Sequence, residues 1–176
     1  VTGEGIISAI GFNKQEVLRS LIAGESGIGM LKHLQSVHHE LPVGEVDLAN
    51  EQMKEMLGVP VSQMMSRTAL MGTIAVRQAL MDSGISVDDI LARKKKGESL
   101  RIALVSGTTV GGMDITELYF DHIAEDDNVS FLRHHDCGSC TNTMADYFGI
   151  FTEVTTLSTA CSSAANAIMF GARLLK

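Results

Sequence analysis

The sequence predicts an α/β layered fold, on three observations. Two short runs rich in β-branched and aliphatic residues, Arg101–Ser106 and Val154–Thr159, read as strands. Longer segments with apolar residues at helical spacing surround them, and glycines at 24, 58, 84 and 149 stand where those segments stop. Strands that alternate with helices pack as layers.

In chain order, Val1-Thr2-Gly3 reads as the tail of a first strand, followed by apolar Ile6, Ile7 and Ile10. Asn13 is placed to cap a helix over residues 14–23, which turns Val17, Leu18, Leu21 and Ile22 to one side before Gly24. A short strand is expected at Pro42–Val46 and a short helix at Asn50–Leu57 ahead of Gly58. The strongest helix is Ser66–Ser83, with Ala69, Leu70, Thr73, Ile74, Val76, Ala79 and Leu80 in helical register. Val87-Asp88-Asp89 opens a short helical turn, and the basic run Arg93-Lys94-Lys95-Lys96 reads as a solvated surface turn.

After the strand Arg101–Ser106 comes the glycine-rich turn GTTVGGM, and then a helix over roughly Asp114–Ala124. Residues 125–142 read as polar and irregular, and Met144–Phe148 as a short helix closed by Gly149. The strand Val154–Thr159 leads into a final helix over 162–175. No internal repeat, low-complexity tract or linker interrupts the 176 residues, so one domain, 1–176, is expected.

Composition narrows the function classes. The chain is 45% hydrophobic and 20% charged, a globular balance, and no apolar run reaches the ~20 residues that span a bilayer. The net charge of −7 argues against a protein that tracks nucleic-acid phosphates. The start has no basic region followed by an apolar one, so no signal peptide is read. Three cysteines, an odd number, do not form a disulfide framework, and a reducing cytoplasm is expected. Val1 in place of Met and an apolar final helix ending Leu174-Leu175-Lys176 lead us to expect a longer natural chain.

Three segments carry parts of functional motifs without completing them. His134-His135-Asp136-Cys137-Gly138-Ser139-Cys140 holds residues that bind zinc, but a structural zinc site pairs one Cys-x-x-Cys with a second, distant pair. A thioredoxin-like site would put those cysteines at a helix start after a strand, and the sequence shows no strand before Cys137. Reduced loop thiols are the expectation. Gly3-x-Gly5 lacks the third glycine and the acidic partner of a dinucleotide site, and Gly24-x-x-Gly27-x-Gly29 has no strand before it. No Gly-Lys pair marks a P-loop, and no Gly-x-Ser-x-Gly marks a serine-hydrolase elbow.

Cys161 remains. Free cysteine often only packs in cores. This one stands at a strand-to-helix junction, where unpaired N–H groups and the helix dipole favour a thiolate. The small residues Ser162, Ser163, Ala164 and Ala165 leave room for a substrate, and the same N–H groups suit an oxyanion on a thioester carbonyl. The pattern by itself names no reaction.

Thr159-Ala160-Cys161-Ser162-Ser163-Ala164 resembles the nucleophile motif of the β-ketoacyl-acyl carrier protein synthases, condensing enzymes of the thiolase superfamily. VTGEGIISAIG, LIAGESGI, ALMGTIAVRQALMDSGI, SGTTVGGM and FGIFTEVTTLSTAC resemble further segments of that family, so the likeness covers nearly the whole chain. It is weakest over residues 30–60 and 125–147.

The resemblance implies the N-terminal half of a thiolase-like fold, a mixed β-sheet covered by helices, with the Cys161 helix central and buried. It implies that Cys161 takes an acyl group from an acyl carrier protein or coenzyme A thioester, its own N–H forming part of the oxyanion hole. Malonyl-acyl carrier protein then loses carbon dioxide and attacks the acyl-cysteine, giving a 3-oxoacyl thioester. Val110 falls at a position that gates the acyl pocket. No cofactor and no metal are implied. The strand Val154–Thr159 corresponds to one that pairs with its twofold mate, so a homodimer is expected.

In the family two histidines and a lysine from the second half of a chain roughly twice this length assist decarboxylation. His33, His38, His39, His122, His134 and His135 all precede Cys161 and match no such motif. Phe151-Thr152-Glu153 replaces the family's lysine-glycine-proline turn. Two alternatives stay open: a non-catalytic chain-length partner, a class that typically lacks the nucleophile, and a zinc-binding interaction module using residues 134–140.

Overall fold

The computed structural model describes residues 1–120 and 129–176, in two compact units. One comprises Val1–Gln63 and Thr73–Ile85, the other Met64–Gly72 and Ser86–Lys176.

The first unit is helical and rich in loops. Helix α1 (Lys14–Ala23) starts at Asn13, whose side chain accepts the Glu16 N–H at 3.0 Å, while Glu16 accepts the Phe12 N–H at 2.8 Å. This reciprocal exchange satisfies donors that the first turn leaves open, and Gly24 ends the helix at φ 68°. Helix α2 (Asn50–Leu57) ends the same way at Gly58, and Gln52 accepts the Ala49 N–H. Both helices lie where their caps place them in the sequence. Helix α3 (Arg67–Asp82) is one residue shorter at each end than expected, and its later turns belong to this unit. Val17, Met53, Leu57, Val59 and Ile74 form the buried centre.

The expected strands at Val1–Gly3 and Pro42–Val46 do not form. Gly3 and Gly5 lie so close to the α3 backbone that a Cβ on either would collide with the Ala79 or Ala75 carbonyl oxygen. Glu4 N–H and Ile6 N–H donate to Asp82 and Gln78, each at 3.0 Å, so α3 side chains take donors that a sheet would have used. At Val43 only an isolated antiparallel bridge to Gly29 is found. The loop beyond Gly29 is held by the Glu45 carboxylate, which accepts the N–H groups of Lys32, His33 and Leu34 at 2.6–3.2 Å.

The second unit carries the sheet. Helix α4 (Val87–Lys95) is a full helix, and the basic run expected in a surface turn forms its last turn. Cations there oppose the partial negative charge of exposed carbonyls, and Lys94 also donates to the Gly149 carbonyl at 3.0 Å. Strand β1 (Ala103–Gly107) pairs in parallel with β2 (Glu153–Leu157), Gly107 opposite Leu157. Both strands start and stop within two residues of their expected limits.

Helix α5 (Met113–Phe120) follows β1, and the expected extension to Ala124 lies outside the described residues, as do His122 and the start of the 125–142 segment. Residues Val129–His134 form a 3-10 turn. Helix α6 (Cys137–Phe148) begins seven residues before the short helix expected at Met144. Asp136 caps it through the Ser139 N–H at 2.7 Å, a donor–acceptor pair that the loop reading of residues 134–140 overlooked. Phe131, Cys140, Met144, Phe148 and Ile150 are buried here.

Helix α7 (Ser163–Leu174) closes the unit. Its expected burial is not found in this chain: only Ser163 and Ala167 are covered, while Ile168 is 75% and Leu175 90% exposed. One face packs on the strands, and the described residues supply no second layer for the other. No described helix is long and apolar enough to cross a membrane.

Candidate functional site

Two parallel strands that end in register send their loops out of one edge of the sheet, where α/β proteins gather ligand sites. Thr108 N–H donates to the Leu157 carbonyl at 3.1 Å and closes that edge. Out of β1 runs the glycine turn; out of β2 runs the Cys161 segment.

Between β2 and α7 the chain makes a short 3-10 turn, Ala160–Ser162. Ala160 has φ 52°, the only left-handed non-glycine among the described residues. That conformation costs an L-residue roughly 1–2 kcal/mol and persists only where the surroundings fix it. The polar side chains of the turn do so. Thr159 N–H donates to Ser163 Oγ at 2.9 Å, and Ser163 Oγ donates to the Ala160 carbonyl at 2.7 Å. Ser162 Oγ donates to the Thr159 carbonyl at 2.7 Å, and Asn166 Nδ2 donates to Thr159 Oγ1 at 2.9 Å.

In the sequence Thr159, Ala160, Ser162 and Ser163 stand out only as parts of the motif around Cys161 and Asn166 not at all; their hydrogen-bonding roles emerge in the structure. The hydroxyls at a helix start were the available signal. Gly107 completes the arrangement: a Cβ there would collide with the Ser163 carbonyl oxygen, so only glycine lets β1 and the first turn of α7 meet backbone to backbone. The result is a sharp elbow with Cys161 exposed at its tip.

Val110 is exposed in the loop leaving β1, its N–H accepted by Thr108 Oγ1 at 3.1 Å. Gly111 and Gly112 follow, so close to the His134–Asp136 backbone that neither tolerates a Cβ. The glycine turn is therefore pinned to the entry of α6. Beside it an open pocket of about 440 Å³ is lined by Met113, Thr116, Glu117, Phe120 and His135, with Thr116 Oγ1 and His135 Nδ1 2.9 Å apart.

The cysteine pair is placed differently from its expectation. Cys137 opens α6 and Cys140 follows one turn on, so both occupy a helix N-terminus. Ser158 Oγ lies 3.9 Å from Cys137 Sγ, and Thr156 Oγ1 donates to Thr141 Oγ1 at 2.7 Å; the start of α6 is thus tied to the end of β2. Among the described residues no three His, Cys, Asp or Glu side chains are arranged around a common metal position.

Solved structures give the class of this architecture: it is that of the thiolase-like ketosynthases. The ishigamide ketosynthase/chain length factor matches with a TM-score of 0.67 at 23% identity, covering 90% of this chain and 38% of that one. The ketosynthase ApeO in complex with its chain length factor ApeC from Xenorhabdus doucetiae matches with a TM-score of 0.65 at 27% identity, over 99% of this chain and 43% of that one.

Residues 1–176 match the family profile described as beta-ketoacyl synthase, N-terminal domain, and the chain belongs to the β-ketoacyl synthase family through that domain. The 3-oxoacyl-acyl-carrier-protein synthase 1 of Buchnera aphidicola subsp. Acyrthosiphon pisum is 25% identical over 96% of this chain and 41% of its own length. That of Haemophilus influenzae is 34% identical over 51% of this chain and 22% of its own length. The chain thus spans less than half the length of these relatives.

Proposed function

We propose that the chain is the nucleophile-bearing N-terminal domain of a decarboxylating condensing enzyme. The exposed Cys161 on its strained elbow carries this reading. The Cys161 thiolate attacks an acyl thioester carbonyl, and the tetrahedral oxyanion is met by the Cys161 N–H. Collapse expels the carrier thiolate and leaves acyl-Cys161. Malonyl-acyl carrier protein loses carbon dioxide, and its carbanion attacks that acyl group. The new carbon–carbon bond yields 3-oxoacyl-acyl carrier protein and frees Cys161. Val110, leaving the same sheet edge, limits the acyl chain. This chemistry calls for no cofactor and takes place in the cytoplasm.

The groups that promote decarboxylation in the family belong to its second half, so these 176 residues alone are expected to acylate slowly and not to condense. The non-catalytic chain-length reading is disfavoured by the presence of Cys161 itself. The other edge of β2 carries no strand among the described residues, which supports a twofold mate paired there, in a homodimer.

The test uses the natural full-length protein with acyl- and malonyl-acyl carrier protein, followed by mass spectrometry. Acyl groups are expected on Cys161, with 3-oxoacyl product lost in Cys161→Ala. Product that survives the substitution, or an acyl group on Cys137, sinks the assignment. Iodoacetamide or a cerulenin-like inhibitor applied to the 176-residue chain should label Cys161 fastest of the three thiols.

A further inference from the structure

Condensing chemistry leaves Cys137 and Cys140 without a task. In the structure they occupy the first turn of α6, three positions apart on one helix face. They differ sharply in access: Cys137 is half-buried, and Cys140 is 1% exposed. Cys140 Sγ points back along the helix and donates to the Cys137 carbonyl at 3.1 Å. An accessible outer thiol at a helix start with a covered inner thiol one turn on is the division of labour that dithiol exchange requires.

We propose that Cys137 and Cys140 form a reversible disulfide by exchange with a small disulfide such as oxidised glutathione. The Cys137 thiolate attacks one glutathione sulfur, giving a mixed disulfide and expelling a glutathione thiolate. The Cys140 thiol gives its proton to that thiolate, and its sulfur attacks Cys137. The second glutathione leaves. Two protein thiols are oxidised and one glutathione disulfide is reduced to two thiols.

The order of attack follows from access. Burial pushes the Cys140 thiol up, so it is the poor first nucleophile and serves to resolve the adduct. Closure also carries strain. Cβ atoms three positions apart on a helix lie about 5–6 Å from each other, and a disulfide needs roughly 3.5–4.5 Å. The first turn must tighten, and a strained disulfide is easily reduced, so the bond suits a reversible switch rather than a staple. Cys137 also touches Ser158, in the segment that delivers Cys161, so closure is felt at the elbow.

The experiment exposes the reduced chain to oxidised glutathione, alkylates it and maps its peptides. An internal Cys137–Cys140 disulfide free of glutathione is expected, reversed by dithiothreitol. Cys140→Ser should stop at a glutathione adduct on Cys137. Cys137→Ser should leave Cys140 about tenfold less modified than Cys137 is in the parent chain. Circular dichroism checks that each variant keeps its helices, and if either does not fold the parent peptide map alone decides. Glutathione persisting on Cys137 of the parent chain, a Cys137–Cys161 bond, or free thiols at 137 and 140 after Cys161 has reacted would overturn the proposal.

Discussion

Cys161 and Cys137 both stand where the chain enters a helix, at the same end of the same sheet, and the structure presents them in opposite ways. Asp136 caps α6 in the ordinary manner, and Cys137 is absorbed into its first turn. At α7 no side chain caps the helix by itself; Ala160 is forced left-handed, and the chain is thrown outward with Cys161 on the bend. A helix start therefore does not by itself fix how far a thiol is exposed. That is set by the residue before the cysteine and by what the backbone is packed against.

The largest expected effect is at Gly107. Gly107→Val drives a side chain into the Ser163 carbonyl and should cost about 3 kcal/mol in urea unfolding. It should also slow alkylation of Cys161 much more than that of Cys137. Equal slowing of both thiols would break the contrast between the two helix starts.

Next, Thr141→Val removes the partner of the Thr156 hydroxyl at a position with no exposure and should cost about 1 kcal/mol. Cys137 should then alkylate faster while Cys161 keeps its rate. A third variant, Ala160→Gly, should be close to neutral in stability, because relief of about 1 kcal/mol of left-handed strain offsets the entropy of glycine. The same exchange at helical Ala167 should cost about 1 kcal/mol. If both cost the same, Ala160 is not strained.

The smallest effect concerns pH. Burial raises the Cys140 thiol above its ordinary value of 9.0, so the unfolded chain ionises first and stability declines as pH rises from there through the folded value. The urea midpoint should fall between about pH 8 and about pH 10 by more in the parent chain than in Cys140→Ala.

How legible all this was in the sequence depends on whether the signal is local. Asn13 with Gly24, and Gly58 after Asn50–Leu57, are complete in a few residues, and the helices end where they say. The VTTLST run and the junction at Cys161 were equally readable. The start of α6 was hidden because its first turn has two cysteines and a glycine in place of an apolar stripe, although Asp136 and Ser139 were correctly spaced. The Val1–Gly3 and Pro42–Val46 readings went wrong for the opposite reason, since a strand needs a partner that no local pattern records. The left-handed Ala160 could not be read at all: it is imposed by Ser163, Thr159 and the approach of Gly107.

The Glu45 clamp has a consequence for how the first unit comes apart. One carboxylate gathers three N–H groups from a segment eleven to thirteen residues away, and Asp47 pairs with the Lys32 and His33 side chains of the same segment. Burial alone would raise the Glu45 carboxyl, but the donors of Lys32, Leu34 and His33 outweigh it and hold it below its ordinary 4.5. The clamp is therefore complete above that value and released as pH falls through the lower, folded one. Amide exchange and pepsin cleavage should begin between Gly29 and Val43 in acid, while α1, α2 and the strands remain protected. On that expectation the first unit would open in acid at this loop, ahead of its helices.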